Sequence, residues 1–138
     1  MNVKVKDIMV ASPVTTHKHV SIGHIKDIMK KNKIHSVPII NNDKELEGIL
    51  TNNDLTGDIS DETQARLVMT KKVLTVPQYS KVHIAARIMR NHHIHHLVVT
   101  HEKKIVGVVS SFDLLALIED HRYVAKNAPT KSKKESNF

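Results

Sequence analysis

The sequence predicts a mixed α/β (α+β) fold, in which two pseudo-symmetric β-α-β-β-α repeats pack as one module with ligand clefts between them. The main observation is an internal duplication, because a shift of 60 residues aligns the chain with itself and a one-residue gap extends the match. A unit of this length that occurs only twice indicates a duplicated small domain rather than a repeat array. The matched pairs are Met9/Met69, Thr15/Thr75, Ile28-Met29/Ile88-Met89, Ile34-His35/Ile94-His95, Gly48/Gly107, Asp54/Asp113 and Leu55/Leu114.

The length of the chain indicates that the two copies depend on each other. At 138 residues the chain falls within the size range of one domain. Each half, at roughly 55 residues, is marginal alone because so short a chain buries too little surface. We therefore expect the first repeat (1–60) and the second repeat (61–120) to share one core. Residues 121–138 contain four lysines among polar residues and are predicted to form a basic, disordered tail.

The first repeat reads as a short first strand, a helix, two strands and a second helix. A segment at 5–9 precedes a few extended residues, which we assign to the first strand. Apolar residues at helical spacing after Ser21, the predicted N-cap, indicate a helix that ends near Asn32. Two apolar runs, 37–40 and 48–50, flank the polar residues 41–44 and predict a β-hairpin. The second helix is predicted from Thr51 or Asn52 to about Ile59.

The second repeat follows the same plan. A segment at 65–69, which Asp61 could cap, again precedes a short extended stretch. A helix capped by Ser80 carries Val82, Ala85, Ile88 and Met89 on one face. Two apolar runs, 97–99 and 105–109, flank a polar turn at 101–104. The closing helix follows Ser110 and Ser111 and carries Leu114, Leu115, Leu117 and Ile118.

Composition narrows the function classes. The chain has no cysteine, which excludes disulfides and thiol catalysis. It lacks both an apolar run of the ~20 residues needed to cross a bilayer and a signal-like first segment, so we expect a cytoplasmic protein without a membrane partner. The net charge of +7 favours anionic partners. Aromatic residues make up only 3% of the chain, a poor supply for stacking bases, so a small phosphorylated ligand is favoured over nucleic acid.

A strand-to-helix motif occurs in both repeats. It consists of glycine, two β-forming residues, Thr51 or Ser110, two variable residues and then Asp54 or Asp113. A hydroxyl residue at a helix start offers backbone N–H groups to an anion, and a carboxylate one turn later can accept from the vicinal diol of a ribose. The alternative is that Thr/Ser-x-x-Asp is simply a capping box that satisfies the helix's own N–H groups.

A histidine element also repeats, as Ile34-His35-Ser36-Val37-Pro38 and Ile94-His95-His96-Leu97-Val98. A single histidine before a strand is typically a solvated loop residue. Here the histidine is kept in both copies while most of its neighbours change, which favours a ligand role.

Together these features resemble a tandem pair of cystathionine β-synthase (CBS) domains, also called a Bateman module. The resemblance covers residues 5–120 and rests on the doubled element order, the histidine element and the glycine-led motif. It implies two repeats related by a pseudo-twofold axis, with adenine nucleotides or related adenosyl ligands in the clefts between them. It also implies a homodimer formed through the helices, a regulatory role, and no required cofactor other than the expected ligand AMP, ADP or ATP.

The resemblance also implies roles for individual residues. Asp54 and Asp113 match ribose-binding carboxylates, and Thr51 and Ser110 match hydroxyls that meet phosphate. His35 and His95 match the phosphate-contacting position of AMP-sensing members, and Thr15 and Thr75, on the first strands, lie near the adenine. The remaining residues expected to line the clefts are Ser36, Pro38, Asn53, His96 and Phe112.

The two clefts are not expected to be equivalent. Phe112 replaces Asn53 and Val98 replaces Pro38 between the copies, so one cleft could be occupied and the other empty. A metal site is the rival use of the histidines, of which the chain has eleven. The cluster at 92–96 straddles a helix end and a strand start, so its members diverge, whereas zinc requires converging ligands. We therefore expect no metal site.

The sequence thus predicts a regulatory module that senses adenosine-containing nucleotides and acts on an unidentified partner protein. The alternative is a ligand-free scaffold that dimerises and docks a partner. An enzyme is not expected, because the sequence contains no nucleophile–base pair, no P-loop lysine motif and no paired carboxylates.

Overall fold

The computed structural model of the protein describes residues 2–121, and the predicted disordered tail lies almost entirely outside these residues. Over that range the predicted mixed α/β fold is confirmed. The elements are α1 (Val5–Ile8), β1 (Val10–Ala11), α2 (Ile22–Asn32), β2 (Ser36–Ile40), β3 (Leu46–Thr51), a 3-10 helix (Asn52–Leu55), a second 3-10 helix (Ala65–Leu67), β4 (Thr75–Pro77), α3 (Val82–His92), β5 (His96–His101), β6 (Lys104–Ser110) and α4 (Ser111–His121).

Both predicted hairpins are present. Strands β2 and β3 pair antiparallel, and β5 pairs antiparallel with β6. In the second repeat the sheet grows to four strands in the order β1-β6-β5-β4, with β4 parallel to β5. The first repeat makes the equivalent pairings through single bridges, Thr16 to Ile39 and Ile49 to Thr70. The two sheets therefore follow one plan, but only the second repeat extends it into full edge strands.

The leading segment of each repeat packs on the other repeat. Residue Val10 pairs with Val108 of the second repeat, and Thr70 exchanges two backbone hydrogen bonds of 2.9 Å with Ile49 of the first. The N–H of Val82, at the start of α3, donates to the carbonyl of Val3 (3.0 Å). In the same way, backbone carbonyls within residues 61–66 accept hydrogen bonds from the first N–H groups of α2. This exchange ties the two repeats together.

The core is divided into two clusters rather than one. The cluster of the first repeat is completed by Ala65 and that of the second repeat by Val5, so each borrows a residue from the exchanged segment. A third, smaller cluster of Ile49, Val98 and Ile105 joins the two sheets. The expected single core is therefore two cores with a bridge between them.

Two glycines permit the close contact between the exchanged segments and the hairpins. A Cβ at Gly48 would lie 2.6 Å from Sδ of Met69, and one at Gly107 would lie 2.5 Å from Sδ of Met9. Real Cβ atoms do not approach other atoms so closely. The Gly48/Gly107 and Met9/Met69 matches seen in the sequence are thus two sides of the same packing contact.

The predicted helices need three corrections. The closing helix of the first repeat does not extend to Ile59, because residues 52–55 form only one 3-10 turn. Helix α3 is capped by Lys81 instead of Ser80, and the Lys81 side chain makes no capping hydrogen bond. Asp61 does not cap the segment that follows it. Its carbonyl accepts from the N–H of Gly23 (2.8 Å) and its carboxylate contacts Lys26 (3.1 Å), both on α2.

The other predicted helices agree with the structure. Helix α2 begins after Ser21, whose Oγ accepts from the N–H of His24 (3.3 Å). Helix α4 begins at Ser111, one residue before the predicted start. Among residues 2–121, no helix combines the length and apolar character needed to cross a bilayer.

Candidate functional site

Two clefts lie between the repeats, each built from both. The first, which we call the Asp54 cleft, has a volume of about 460 Å³, and the second, the Asp113 cleft, about 590 Å³. Both fall within the range of roughly 300–1,000 Å³ typical of small-molecule sites.

The walls of the two clefts are related by the internal repeat. The Asp54 cleft combines the strand end at 51–54 of the first repeat with residues 70–74 and 93–96 of the second. The Asp113 cleft combines the strand end at 110–113 of the second repeat with residues 10–14 and 33–36 of the first. A carboxylate from one repeat therefore always faces the leading segment and the histidine element of the other. This cross-repeat assembly follows from the exchange of leading segments and is not evident from the spacing of the motifs.

The predicted site residues mostly converge on these clefts. Thr51, Asn53 and Asp54 line the first cleft, and Ser36, Pro38, Ser110, Phe112 and Asp113 line the second. His35, His95 and His96 line both. The exceptions are Thr15 and Thr75. Their preceding neighbours, Val14 and Leu74, contribute to the cleft walls, whereas the two threonines lie one residue beyond them. Thr75 begins β4, but Thr15 lies outside the strands.

The predicted capping boxes are present in both repeats. The N–H of Thr51 donates to Oδ2 of Asp54 (2.9 Å), and the N–H of Ser110 donates to Oδ2 of Asp113 (2.8 Å). The N–H of Asp113 in turn donates to Oγ of Ser110 (3.2 Å). The N–H of Ser111 is taken by the carbonyl of His95 (2.9 Å). Several of the N–H groups expected to bind an anion are therefore already engaged within the protein.

The capping role leaves the two carboxylates in different states. Asp54 also accepts from the hydroxyl of Thr51 (3.2 Å) and, through Oδ1, from the hydroxyl of Thr70 (3.1 Å). In the Asp113 cleft the position equivalent to Thr70 is Val10 of the first repeat, which has no hydroxyl. Among the residues that the structure describes, the hydrogen bonds of the Asp113 carboxylate are confined to Oδ2.

The three shared histidines form the boundary between the clefts. His35 is exposed, and its Nδ1 lies 2.8 Å from the amide nitrogen of Asn52. His95 is also exposed, with Nδ1 3.4 Å from Oγ of Ser111. His96 is half-buried, and burial lowers its pKa, aided by His35 and His95 and opposed by Asp113. The boundary therefore contains a neutral imidazole at neutral pH, next to two solvated ones.

Sequence reasoning missed several cleft residues. Thr70 and Lys72 line the Asp54 cleft, and Val10, Ser12 and Lys33 line the Asp113 cleft. The signal for Thr70 and Val10 was present, since each directly follows one of the matched methionines. Their importance depends on the exchange of segments, however, which the repeat pattern does not reveal.

The histidines do not form a metal centre in the described part of the chain. Over residues 2–121, no group of three or more His, Cys, Asp or Glu side chains is arranged to hold a metal ion.

Comparisons with known proteins point to one family. The sequence model of the CBS domain matches residues 5–61 and 65–120. Among solved structures, the CBS domain pair of protein MJ0100, described in complex with 5′-methylthioadenosine and S-adenosyl-L-methionine, has a TM-score of 0.82 and 27% identity, covering 88% of this chain and 100% of that one. A CBS-domain containing protein from Agrobacterium tumefaciens has a TM-score of 0.76 and 26% identity, covering 83% and 98%.

Sequence relatives include enzymes much longer than this chain. A homoserine O-acetyltransferase of Methanosalsum zhilinae is 30% identical over 123 residues, which is 88% of this chain and 25% of the enzyme. The chain spans about a quarter of the length of such relatives. A CBS domain-containing protein of Dictyostelium discoideum, 28% identical over 134 residues, is matched over 92% of its length.

Proposed function

Because this chain belongs to the CBS domain family, as a tandem pair of CBS repeats, we propose that it is a regulatory module that binds an adenosine-containing ligand between them. The observation that carries the proposal is the cross-repeat construction of each cleft. A ligand in either cleft contacts both repeats at once. Its binding energy therefore depends on how the repeats are placed, which is the requirement for a ligand to shift a conformational equilibrium.

The chemistry of the walls supports an adenine nucleotide or a related adenosyl compound. A carboxylate in each cleft can accept from a ribose diol, and the shared histidines together with Lys72 or Lys33 can face phosphate. The CBS domain pair of protein MJ0100 is described in complex with two adenosyl ligands, which supports the same ligand class here. Candidate ligands are AMP, ADP, ATP, 5′-methylthioadenosine and S-adenosylmethionine.

The role we propose is control of a partner protein rather than catalysis. The enzymes among the relatives share only about a quarter of their length with this chain. The matched part is the CBS pair, so their activities do not transfer with it.

Thermal unfolding of the full chain tests the proposal with the five candidate ligands. A ligand present at 100 times its dissociation constant stabilises the fold by about 2.7 kcal/mol, which raises the midpoint by several degrees in a protein of this size. The variant Asp43→Ala, in the exposed turn between β2 and β3, should respond like the wild type. The absence of any shift at millimolar concentration of all five ligands would contradict the proposal.

A scaffold role is favoured by one specific feature, the outer face of α4. Leu115 and Ile118 are 59% and 61% exposed, and the last turn of the helix contains Glu119 and Asp120. In the first repeat, where the equivalent helix is a single turn, an open groove of about 520 Å³ has Met29, Ile34 and Leu55 in its walls and lysines 26, 30 and 33 around it. The acidic end and apolar face of α4 complement this groove, so we propose that a second copy of the chain occupies it through α4.

Sedimentation of the wild type against Leu115→Glu and Ile118→Glu tests this pairing. We expect a dimer that the two substitutions convert to a monomer without loss of the ligand response. A matched control is Lys31→Glu on α2, which is exposed and outside the groove. A monomeric wild type would overturn the pairing and leave the ligand proposal intact.

A further inference from the structure

The two carboxylates differ in how many hydrogen bonds they already accept. Asp54 accepts three, from the N–H and hydroxyl of Thr51 and from the hydroxyl of Thr70. Asp113 accepts one among the described residues, from the N–H of Ser110. One of the two extra hydrogen bonds comes from the motif residue Thr51, and the other from Thr70, which lies on the exchanged segment and has Val10 as its counterpart.

The number of remaining acceptor sites determines what each carboxylate can bind. An ionised carboxylate offers about four lone-pair directions. Asp54 therefore has about one left and Asp113 about three. A vicinal diol brings two O–H donors, so Asp113 can accept both, whereas Asp54 can do so only if Thr70 or Thr51 gives up its bond. Ribose hydroxyls at Asp54 therefore compete with hydrogen bonds that the protein already makes.

The walls beside the carboxylates differ in the same direction. In the Asp113 cleft the positions around the carboxylate are Val10, Ser12 and Phe112. The equivalent positions of the Asp54 cleft are Thr70, Lys72 and Asn53. In the first set Val10 and Phe112 offer apolar surface to a nucleoside, and the second set offers hydrogen-bond donors and a positive charge.

We infer that the Asp113 cleft is the ribose-binding cleft of this protein, and that Thr70 is a specificity-determining residue that disfavours a ribose diol at Asp54. The inference rests on the proposed function, because it assigns the adenosyl ligand to one of the two clefts. Ribose binds first at Asp113, and the chain takes one ribonucleoside ligand where its symmetry would allow two.

Calorimetric titration of the full chain tests this assignment, with AMP and 5′-methylthioadenosine as probes and 2′-deoxy-AMP as the control that lacks the diol. We expect one ligand per chain for the wild type. Asp113→Ala should weaken binding by roughly tenfold or more, since hydrogen bonds to a charged acceptor are lost. Asp54→Ala should weaken binding far less than Asp113→Ala does. Replacing AMP by 2′-deoxy-AMP should weaken binding to the wild type but add little further loss in Asp113→Ala.

A reciprocal pair of substitutions separates ribose recognition from loss of the helix cap. Thr70→Val frees Oδ1 of Asp54 and should raise the stoichiometry towards two ligands per chain. Val10→Thr places a hydroxyl beside Asp113 and should weaken the single site. Both leave the capping boxes in place, so the folded state is preserved, and the thermal midpoint without ligand verifies this.

The outcomes distinguish this inference from the function on which it rests. If neither probe binds the wild type, the proposed function fails and the inference fails with it. If a probe binds with two equal sites, or if Asp54→Ala removes binding while Asp113→Ala does not, the protein binds adenosyl ligands but the assignment to Asp113 is wrong. An unchanged stoichiometry in Thr70→Val would overturn the role of Thr70.

Discussion

The last elements of the two repeats share an Asp-Leu pair near their start but differ in length. In the first repeat Asp54-Leu55 end a 3-10 turn of 4 residues, whereas in the second Asp113-Leu114 lie near the start of α4, which has 11 residues. The first repeat continues with Thr56 and Gly57, the latter at a φ of +100°, and the second with Leu115, Ala116 and Leu117. The helix-forming residues extend the second copy, and glycine ends the first.

The difference teaches how a duplicated fold can divide its functions. Because the turn in the first repeat is short, residues 56–66 can cross the start of α2. The backbone carbonyls of Asp61 and Thr63 accept hydrogen bonds there from the first N–H groups of α2. The second repeat needs no such return, because residues 3–6 already serve the same role for α3. The second repeat can therefore extend a helix with an exposed apolar face. The same exchange places Thr70 beside Asp54 and Val10 beside Asp113, which makes the clefts unlike.

The largest expected effect tests whether the two cores unfold together as one cooperative unit. Ile25 is fully buried in the first core, and Ala85 is its counterpart in the second. Ile25→Ala should destabilise the protein by about 2–5 kcal/mol. Because the leading segments are exchanged, both repeats should unfold in a single transition in urea, and the reverse change Ala85→Ile should cost about 1–3 kcal/mol. Two separate transitions would show that the repeats unfold independently.

A second prediction tests the symmetry of the exchange. Gly48→Ala and Gly107→Ala each force a methyl group against a methionine and a backbone carbonyl, at 3.0 Å from Thr70 and 2.9 Å from Val10. We expect each to lower the free energy of unfolding by about 1–3 kcal/mol. Adding Met9→Ala to Gly107→Ala should recover only part of the loss, since the carbonyl remains. A substitution without effect would mean that the segment does not lie against its hairpin.

The helix caps offer a smaller contrast. Ser21 caps α2 through its side chain, whereas Lys81, at the same position of α3, makes no capping hydrogen bond. Lys81→Ser should therefore stabilise the protein and Ser21→Ala should destabilise it, each by about 1 kcal/mol. Thermal unfolding measures both changes. A loss of stability in Lys81→Ser would be inconsistent with the cap assignment.

The smallest expected effect is a pH dependence of stability that arises from His96, in the second repeat. Burial lowers the pKa of His96, with help from His35 and His95 and against Asp113, whereas the equivalent residue of the first repeat is Ser36. The unfolded chain therefore binds this proton more readily than the folded one. The contribution of His96 to stability is complete above its ordinary pKa of 6.5 and decreases as the pH falls below it. Between pH 7 and 5 the free energy of unfolding should fall less in His96→Ser than in the wild type. An equal or larger fall in His96→Ser would contradict this role of His96.

The sequence was sufficient for the architecture and for most of the cleft walls. Helix α2, both hairpins and α4 were predicted because their apolar spacing and turn residues are local signals. The cleft residues His35, Asp54, His95 and Asp113 were predicted because they recur in both copies. Their roles, a homodimer, the partner protein and a cytoplasmic location stay predictions.

The errors have physical causes. The helix after Asn52 is shorter than predicted, because Gly57, at a φ of +100°, follows it. Ser80 was preferred to Lys81 because of its residue type, whereas the cap is set by the segment that α3 meets at Val3. The roles of Thr15 and Thr75 near the adenine stay predictions, and their neighbours Val14 and Leu74 line the clefts. The contrast between Thr70 and Val10 could not be predicted, because it depends on which segment crosses to which repeat.

The most direct test of the account is a crystal structure of the full chain grown with 5′-methylthioadenosine at millimolar concentration. We predict ligand in the Asp113 cleft, with both ribose hydroxyls within hydrogen-bond distance of the Asp113 carboxylate and with the Thr70–Asp54 hydrogen bond retained in the other cleft. A ribose bound to Asp54, with the Asp113 cleft empty, would contradict the account.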